Sequence, residues 1–161
     1  MNKNIENKIF KGLVIFLAVQ LIIMIGLIII LLSCKNFNAR GRSMAPYIKD
    51  GDALLCTTLY FDIKKGDIVG ANPKNDNDDC LIAKRVVATE GDHVYMHDGH
   101  LYINDIEDTI DPNAIYDAEI DLVVPDNSFY ILGDNRNVSK DSRTFGCITK
   151  DEIVSKVIKI K

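Results

Sequence analysis

The chain opens with an apolar run that nothing later in it matches. From residue 12 to residue 32 every side chain is apolar or glycine except Gln20, and none is charged. At about 1.5 Å rise per residue, such a run crosses the roughly 30 Å hydrocarbon core of a bilayer, so a transmembrane helix is predicted over residues 12–34. The tail before it, residues 1–11, carries Lys3, Lys8 and Lys11 against Glu6. The tendency of basic flanks to stay cytoplasmic places this tail inside and residues 35–161 outside. A cleaved secretory signal is the simpler alternative, but its apolar core is typically only about 7–15 residues.

Beyond Lys35 the pattern changes period. Short runs rich in Val, Ile, Leu and Tyr recur between turn formers about every ten residues, the rhythm of an all-β domain. The clearest predicted strands are 53–59, 67–69, 81–89 and 128–132. A hairpin is predicted over 94–103, because Asp98-Gly99 separates two β-prone arms as a type I′ turn requires. Residues 104–125 turn acidic with two prolines, and only 115–124 suggests a further strand or ordered loop. The hairpin and this stretch, about 94–127, read as an inserted cap over the sheet. Residues 72–79 are polar and without period, an exposed connection. Near the end, Ile153, Val154, Val157, Ile158 and Ile160 fit a helical turn at 150–153 followed by a strand. The expectation is a mainly β domain of short antiparallel strands behind one N-terminal transmembrane helix.

Charge and cysteine content narrow the function classes. From Lys35 onward, 16 Lys and Arg face 22 Asp and Glu, which argues against a nucleic-acid partner, since that needs a basic footprint. Cysteines at 34, 56, 80 and 147 are too few and too irregularly spaced for a disulfide scaffold or a zinc framework. One bridge among Cys56, Cys80 and Cys147 and a set of buried thiols both remain open. His93, His97 and His100 lie close together, but His97 and His100 flank the predicted turn, where exposed polar residues are ordinary; no metal site is expected.

Candidate chemistry lies in two places. Ser43 sits in Gly41-Arg42-Ser43-Met44-Ala45-Pro46, a turn-prone stretch suited to presenting a nucleophilic hydroxyl. Lys84 sits in Leu81-Ile82-Ala83-Lys84-Arg85-Val86-Val87-Ala88, where a strand would place Ile82, Lys84, Val86 and Ala88 on one face. An amine emerging from an apolar face is desolvated, and desolvation lowers its pKa toward the range in which it can act as a base. A lysine snorkelling at a sheet edge is the alternative for Lys84 taken alone. Met44, Tyr47, Leu54, Leu55, Tyr60 and Phe61 are more apolar than a soluble loop region needs, and suit either a lipid-facing surface or a core.

Company changes the weight of these two residues. Gly133-Asp134-Asn135-Arg136-Asn137-Val138-Ser139-Lys140-Asp141-Ser142-Arg143 crowds polar groups directly after a predicted strand, and Gly66-Asp67-Ile68-Val69 forms a further box. With the S-M-x-P box at Ser43 and the K-R-V box at Lys84, in this order behind a membrane segment, the chain resembles the type I signal peptidases over nearly its whole length. That resemblance implies a signal-peptidase/LexA-like β-domain and a membrane-bound serine endopeptidase removing signal peptides from exported preproteins. It implies Ser43 as nucleophile, Lys84 as general base and Ser139 as the hydroxyl orienting the amine. Asp141 and Arg143 resemble the family's ion pair propping the loop that holds Gly133 and Asp134, and the Ser43 backbone N–H would be an oxyanion donor.

Some relatives add a hydroxyl two residues before the nucleophile, where this chain has Gly41. That glycine and the short length look like the Gram-positive form. Tyr47 stands where threonine is common, and Asn137-Val138 replaces the usual Asp-Asn. The implied partners are signal peptides and the lipid bilayer of a bacterial cell membrane, with a single pass, and no cofactor. Two other readings share the motifs: a self-cleaving LexA-type repressor, which the membrane span and the lack of a basic DNA-binding segment oppose, and a non-catalytic assembly factor for surface structures such as pili, which would be expected to lack the serine or the lysine.

Overall fold

The computed structural model describes residues 3–59, 62–76, 80–111, 114 and 119–160. Two compact units emerge, Met1–Cys34 and Lys35–Lys161. The first is the helix α1, Lys3–Ser33, which begins earlier than the apolar run because the polar residues ahead of that run continue its hydrogen-bond ladder. From Asn7 to Leu32 its side chains are exposed all round, Leu31 and Leu32 by about three-quarters. Over Asn7–Ser33 it is long and apolar enough to cross a membrane.

The second unit is built from strands. In chain order they are β1 (Cys34–Asn38), β2 (Ala53–Thr57), β3 (Ile68–Ala71), β4 (Ile82–Thr89), β5 (His93–His97), β6 (His100–Ile103), β7 (Ile106–Glu107), β8 (Asp121–Val123), β9 (Ser128–Leu132), β10 (Ile148–Thr149) and β11 (Ile153–Ile160). A short helix α2 (Ser142–Phe145) precedes β10, and a 3-10 turn (Lys150–Glu152) precedes β11. A seven-stranded sheet runs β1-β2-β11-β3-β4-β9-β10, and a four-stranded sheet runs β7-β6-β5-β8. The pairings from β2 through β11 are antiparallel.

The hairpin forms where Asp98-Gly99 predicts it. His97 pairs with His100, and Asp98 and Gly99 take φ of 50° and 78°, the two positive values that a type I′ turn demands. The 3-10 turn is closed by a capping box in which Thr149 N donates to Glu152 Oε2 at 2.7 Å. The same Glu152 pins the start of the polar 72–79 connection, accepting from Lys74 N through Oε1 at 2.7 Å and from Asn72 N through its carbonyl at 2.8 Å.

Other expectations need correction. Ala88 does not share a face with Lys84: the ladder between β4 and β9 slips between Val86 and Ala88, a bulge that turns Val87 and Ala88 toward Tyr130 and Leu132 while Val86 packs with Ile131. Only 121–123 of the suggested 115–124 strand is extended, with 115–118 outside the described residues. Met44 and Leu54 are core residues, whereas Tyr47 is exposed; Tyr60, Phe61 and residues 77–79 lie outside the described residues. β1 was invisible to pattern because its CKNFN sequence has no apolar alternation. The four cysteines are free thiols.

Among the described residues, three clusters fill the interior. Val69, Val86, Ile131 and Ile148 centre the first, between the larger sheet and α2. Val94, Leu101, Tyr130 and Leu132 centre the second, joining the two sheets. The third, Met44, Ile48, Leu54, Cys56 and Ile68, anchors the turn that carries Ser43.

Candidate active site

Ser43 owes its presentation to a turn held at both ends. Gly41 adopts φ of +82°, a conformation L side chains rarely take, and its N–H donates to Asp50 Oδ1 at 2.8 Å. Ala45 N donates to Arg42 O at 3.1 Å and Ile48 N to Met44 O at 2.8 Å, while Met44 and Ile48 are buried below. Ser43 itself stays half-buried at the top.

Lys84 arrives from β4, a strand buried between β3 and β9. Its Nζ lies 2.9 Å from Ser43 Oγ and donates to Ala83 O at 3.2 Å, and the residue is only 4% exposed. Desolvation pushes the amine's pKa down, against an opposing pull from the Asp141 carboxylate. Burial dominates because the ammonium has lost its water and, among the described residues, no carboxylate hydrogen-bonds it in return. A neutral amine within bonding reach of a serine hydroxyl can accept its proton.

The loop after β9 closes the site from the other side. Asn135 N donates to Ser43 O at 3.0 Å. Gly133 lies so close beneath that a Cβ there would stand 2.5 Å from Ser43 O and 2.5 Å from Ser139 Cβ. Ser139 Oγ is buried with no hydrogen-bond partner among the described residues. Asp141, fully buried, accepts from Gly133 N at 3.0 Å and binds Arg143 through both oxygens at 2.7 and 2.8 Å. Arg143 also donates to Arg136 O at 2.7 Å and Ser139 O at 3.2 Å, so one guanidinium fixes the backbone on either side of the loop. Asp141 additionally caps α2.

Several residues of the site were not singled out from the sequence. Arg85 forks onto Asp134 at 2.8 and 2.7 Å, with its guanidinium 4.8 Å from the centre of the Tyr47 ring. Arg136, whose side chain is wholly buried, meets Asp108 at 2.5 Å and donates to Gly133 O at 2.9 Å. A usable signal existed for Arg85: next to Lys84 on a strand, it must face the opposite way and needs its own countercharge. Beside Ser43 and Lys84 opens a groove of about 480 Å³ lined largely by apolar side chains, among them Phe37, Ala39, Leu54, Ile82 and Val157.

The family model described as signal peptidase, peptidase S26, matches residues 12–160. The chain belongs to the signal peptidase family, peptidase S26. It is similar to signal peptidase IB of Staphylococcus aureus, 33% identical over 75% of this chain and 74% of that protein. It is also similar to signal peptidase I P of Bacillus subtilis subsp. natto, 33% identical over 84% of this chain and 81% of that one. Among solved structures, a signal peptidase I from Enterococcus faecalis V583 aligns with a TM-score of 0.50 and 25% identity, covering 62% of this chain and 98% of that one. As a member of this family the chain is a peptidase with a mainly antiparallel β fold.

Proposed function

We propose that this signal peptidase cleaves signal peptides from exported preproteins with Ser43 as nucleophile and Lys84 as general base. The observation that carries the reading is the 2.9 Å approach of Lys84 Nζ to Ser43 Oγ with the lysine buried. Neutral Lys84 takes the hydroxyl proton as Oγ attacks the scissile carbonyl. The resulting oxyanion is met by the Ser43 backbone N–H. Collapse expels the amine of the mature chain, which receives the proton from Lys84, and leaves an ester on Ser43. Lys84 then deprotonates a water that hydrolyses the ester and frees the signal peptide as a carboxylate.

Ser139 is assigned to orient the amine, its buried hydroxyl having no other partner among the described residues. Asp141 and Arg143 hold the loop, Gly133 lets it approach Ser43, and Asp134 ties it to Arg85. Helix α1 is assigned as a single membrane anchor with Lys3, Lys8 and Lys11 on the cytoplasmic side, which keeps enzyme and preprotein in one bilayer.

The test is cleavage of a model preprotein by the full chain purified in detergent. Ser43→Ala and Lys84→Ala are each expected to lower kcat/KM by about a thousandfold or more, as loss of a nucleophile or its base does. Equal cleavage by all three proteins, or by none across several preproteins, would favour the assembly-factor reading instead. The pH profile of kcat/KM should rise well below the ordinary lysine value of 10.5, since desolvation lowers the Lys84 pKa.

A further inference from the structure

Charge is divided unevenly along the β unit. From Lys35 to Lys49 there are four cations, Lys35, Arg40, Arg42 and Lys49, and no Asp or Glu. From Asp50 to Lys161 there are 22 Asp and Glu against 12 Lys and Arg, and eight of those twelve cations are held in ion pairs. The four in the first segment are all exposed, and none has a charged partner among the described residues. Asp50, whose Oδ1 accepts from the N–H of Gly41 between the two arginines, forms an ion pair with neither.

Of the four, Arg40 lines the groove that opens beside Ser43 and Lys84, whose walls are otherwise largely apolar. Arg42 directly precedes the nucleophile in the chain. A cation beside a low-dielectric wall acts more strongly than one in open water, because the wall confines its field to the cleft. A guanidinium without a carboxylate of its own attracts one from a ligand and repels an ammonium. We propose that Arg40, assisted by the field of Arg42, is a specificity residue that selects an acidic side chain at the substrate position immediately before the residue whose carbonyl is cut. This rests on the serine–lysine reading above.

Geometry picks the position. The carbonyl to be cut must lie at Ser43 Oγ. An extended peptide turns successive side chains to opposite sides, so when the cleaved residue's side chain enters the apolar groove, that of its predecessor points outward over the rim. Arg40 is exposed and stands three residues ahead of Ser43, on the segment that leads from β1 into the nucleophile turn. That segment lines the groove from Phe37 to Gly41. The apolar arm of a signal peptide suits the groove, and it therefore passes Arg40, whereas the residue after the cut has left the groove at Ser43.

The experiment compares peptides carrying aspartate, asparagine or lysine at that position, the first two of nearly equal shape and differing by one charge. The full-length protein in non-ionic detergent at low salt is expected to favour aspartate over asparagine about threefold in kcat/KM, the scale of an exposed ion pair, and to place lysine last. At about 1 M salt, where charges are screened within roughly 3 Å, the ratio should fall toward one. Arg40→Gln should bring it to about one at low salt, Arg42→Gln should lower it in part, and Arg40→Lys should keep most of it. Lys150→Gln removes an exposed cation that does not line the groove and should leave the ratio unchanged. A general loss of fold lowers all three peptides together and cannot move it. A wild-type ratio of one, a preference untouched by salt or by Arg40→Gln, or an aspartate preference found only after the cut overturns the proposal. If wild type cleaves no peptide, it is the serine–lysine reading that falls. The rim is then still read by the affinity of the same peptides, fluorescently labelled, for the full chain: tighter aspartate binding that Arg40→Gln removes supports it, and equal binding refutes it.

Discussion

The two sheets of the β unit treat charge in opposite ways. The seven-stranded sheet buries it: Lys84, Asp134, Arg136 and Asp141 are each 4% exposed or less and lie in or against that sheet. The four-stranded sheet wears it outside, with His93 against Asp121 and His100 against Glu107 in exposed pairs. The sequence is just as divided. Between residues 86 and 135, a span holding the whole smaller sheet, there is no lysine or arginine and there are twelve Asp and Glu.

The smaller region therefore borrows its countercharges. Asp92, buried at its edge, takes Lys65 at 2.8 Å, and Asp108 takes Arg136 at 2.5 Å; both cations come from loops of the larger sheet. An acidic lobe that neutralises its inward carboxylates this way is tied to the site, because the Arg136 that reaches Asp108 also holds Gly133 O. The cap and the loop after β9 thus share an electrostatic joint at Arg136.

Cutting that joint is the largest test. Arg136→Ala leaves Asp108 without its buried cation and is expected to cost about 3–5 kcal/mol in urea unfolding, with loss of cleavage as the loop loosens. An effect no larger than that of an exposed pair would mean that the two regions stand independently. Gly133→Ala strikes the larger sheet alone: a methyl 2.5 Å from Ser43 O and Ser139 Cβ must displace one of them, for about 1–3 kcal/mol of overpacking. Its loss of kcat/KM should exceed what that instability explains, since the displaced atoms belong to the turn that carries Ser43 and to Ser139.

Lys84→Met tests whether burying charge in the larger sheet costs stability. The folded state holds the amine below its ordinary value of 10.5, so the unfolded chain binds the proton first as pH falls. The wild-type protein is then fully stable in this respect only above that value and loses stability as pH drops toward the folded pKa. The inactive methionine variant should accordingly be the more stable at pH 7, with a gap that narrows by pH 10 in parallel urea titrations. A gap that widened with pH would reverse the sign assigned to Lys84. The smallest effect belongs to the cap surface: Asp121→Asn removes an exposed partner of His93 and should leave both the unfolding midpoint and kcat/KM unchanged within error.

Much of this site could be read along the chain, for a definable reason. Ser43, Lys84, Ser139, Asp141 and Arg143 stand in short motifs whose order survives folding, and Asp141 bonds Arg143 only two residues away. The pairs that were missed join distant segments: Arg85 reaches Asp134 across 49 positions, and Asp108 and Arg136 come from different regions. No periodicity or turn chemistry encodes such partners. The hairpin was legible because Asp-Gly is a local instruction, whereas the bulge that turns Ala88 away from Lys84 arises from how β4 must follow β9.

By itself the sequence determined the apolar helix, the strand rhythm, the Asp98-Gly99 turn and the identity of the groups able to do chemistry. These depend on local backbone preference and on side-chain type. Tertiary structure alone decided that Lys84 meets Ser43 at 2.9 Å and that Gly133 brings two loops within contact. Each of those is an outcome of packing between segments far apart in the chain, where desolvation and close approach exist only once the sheet has formed.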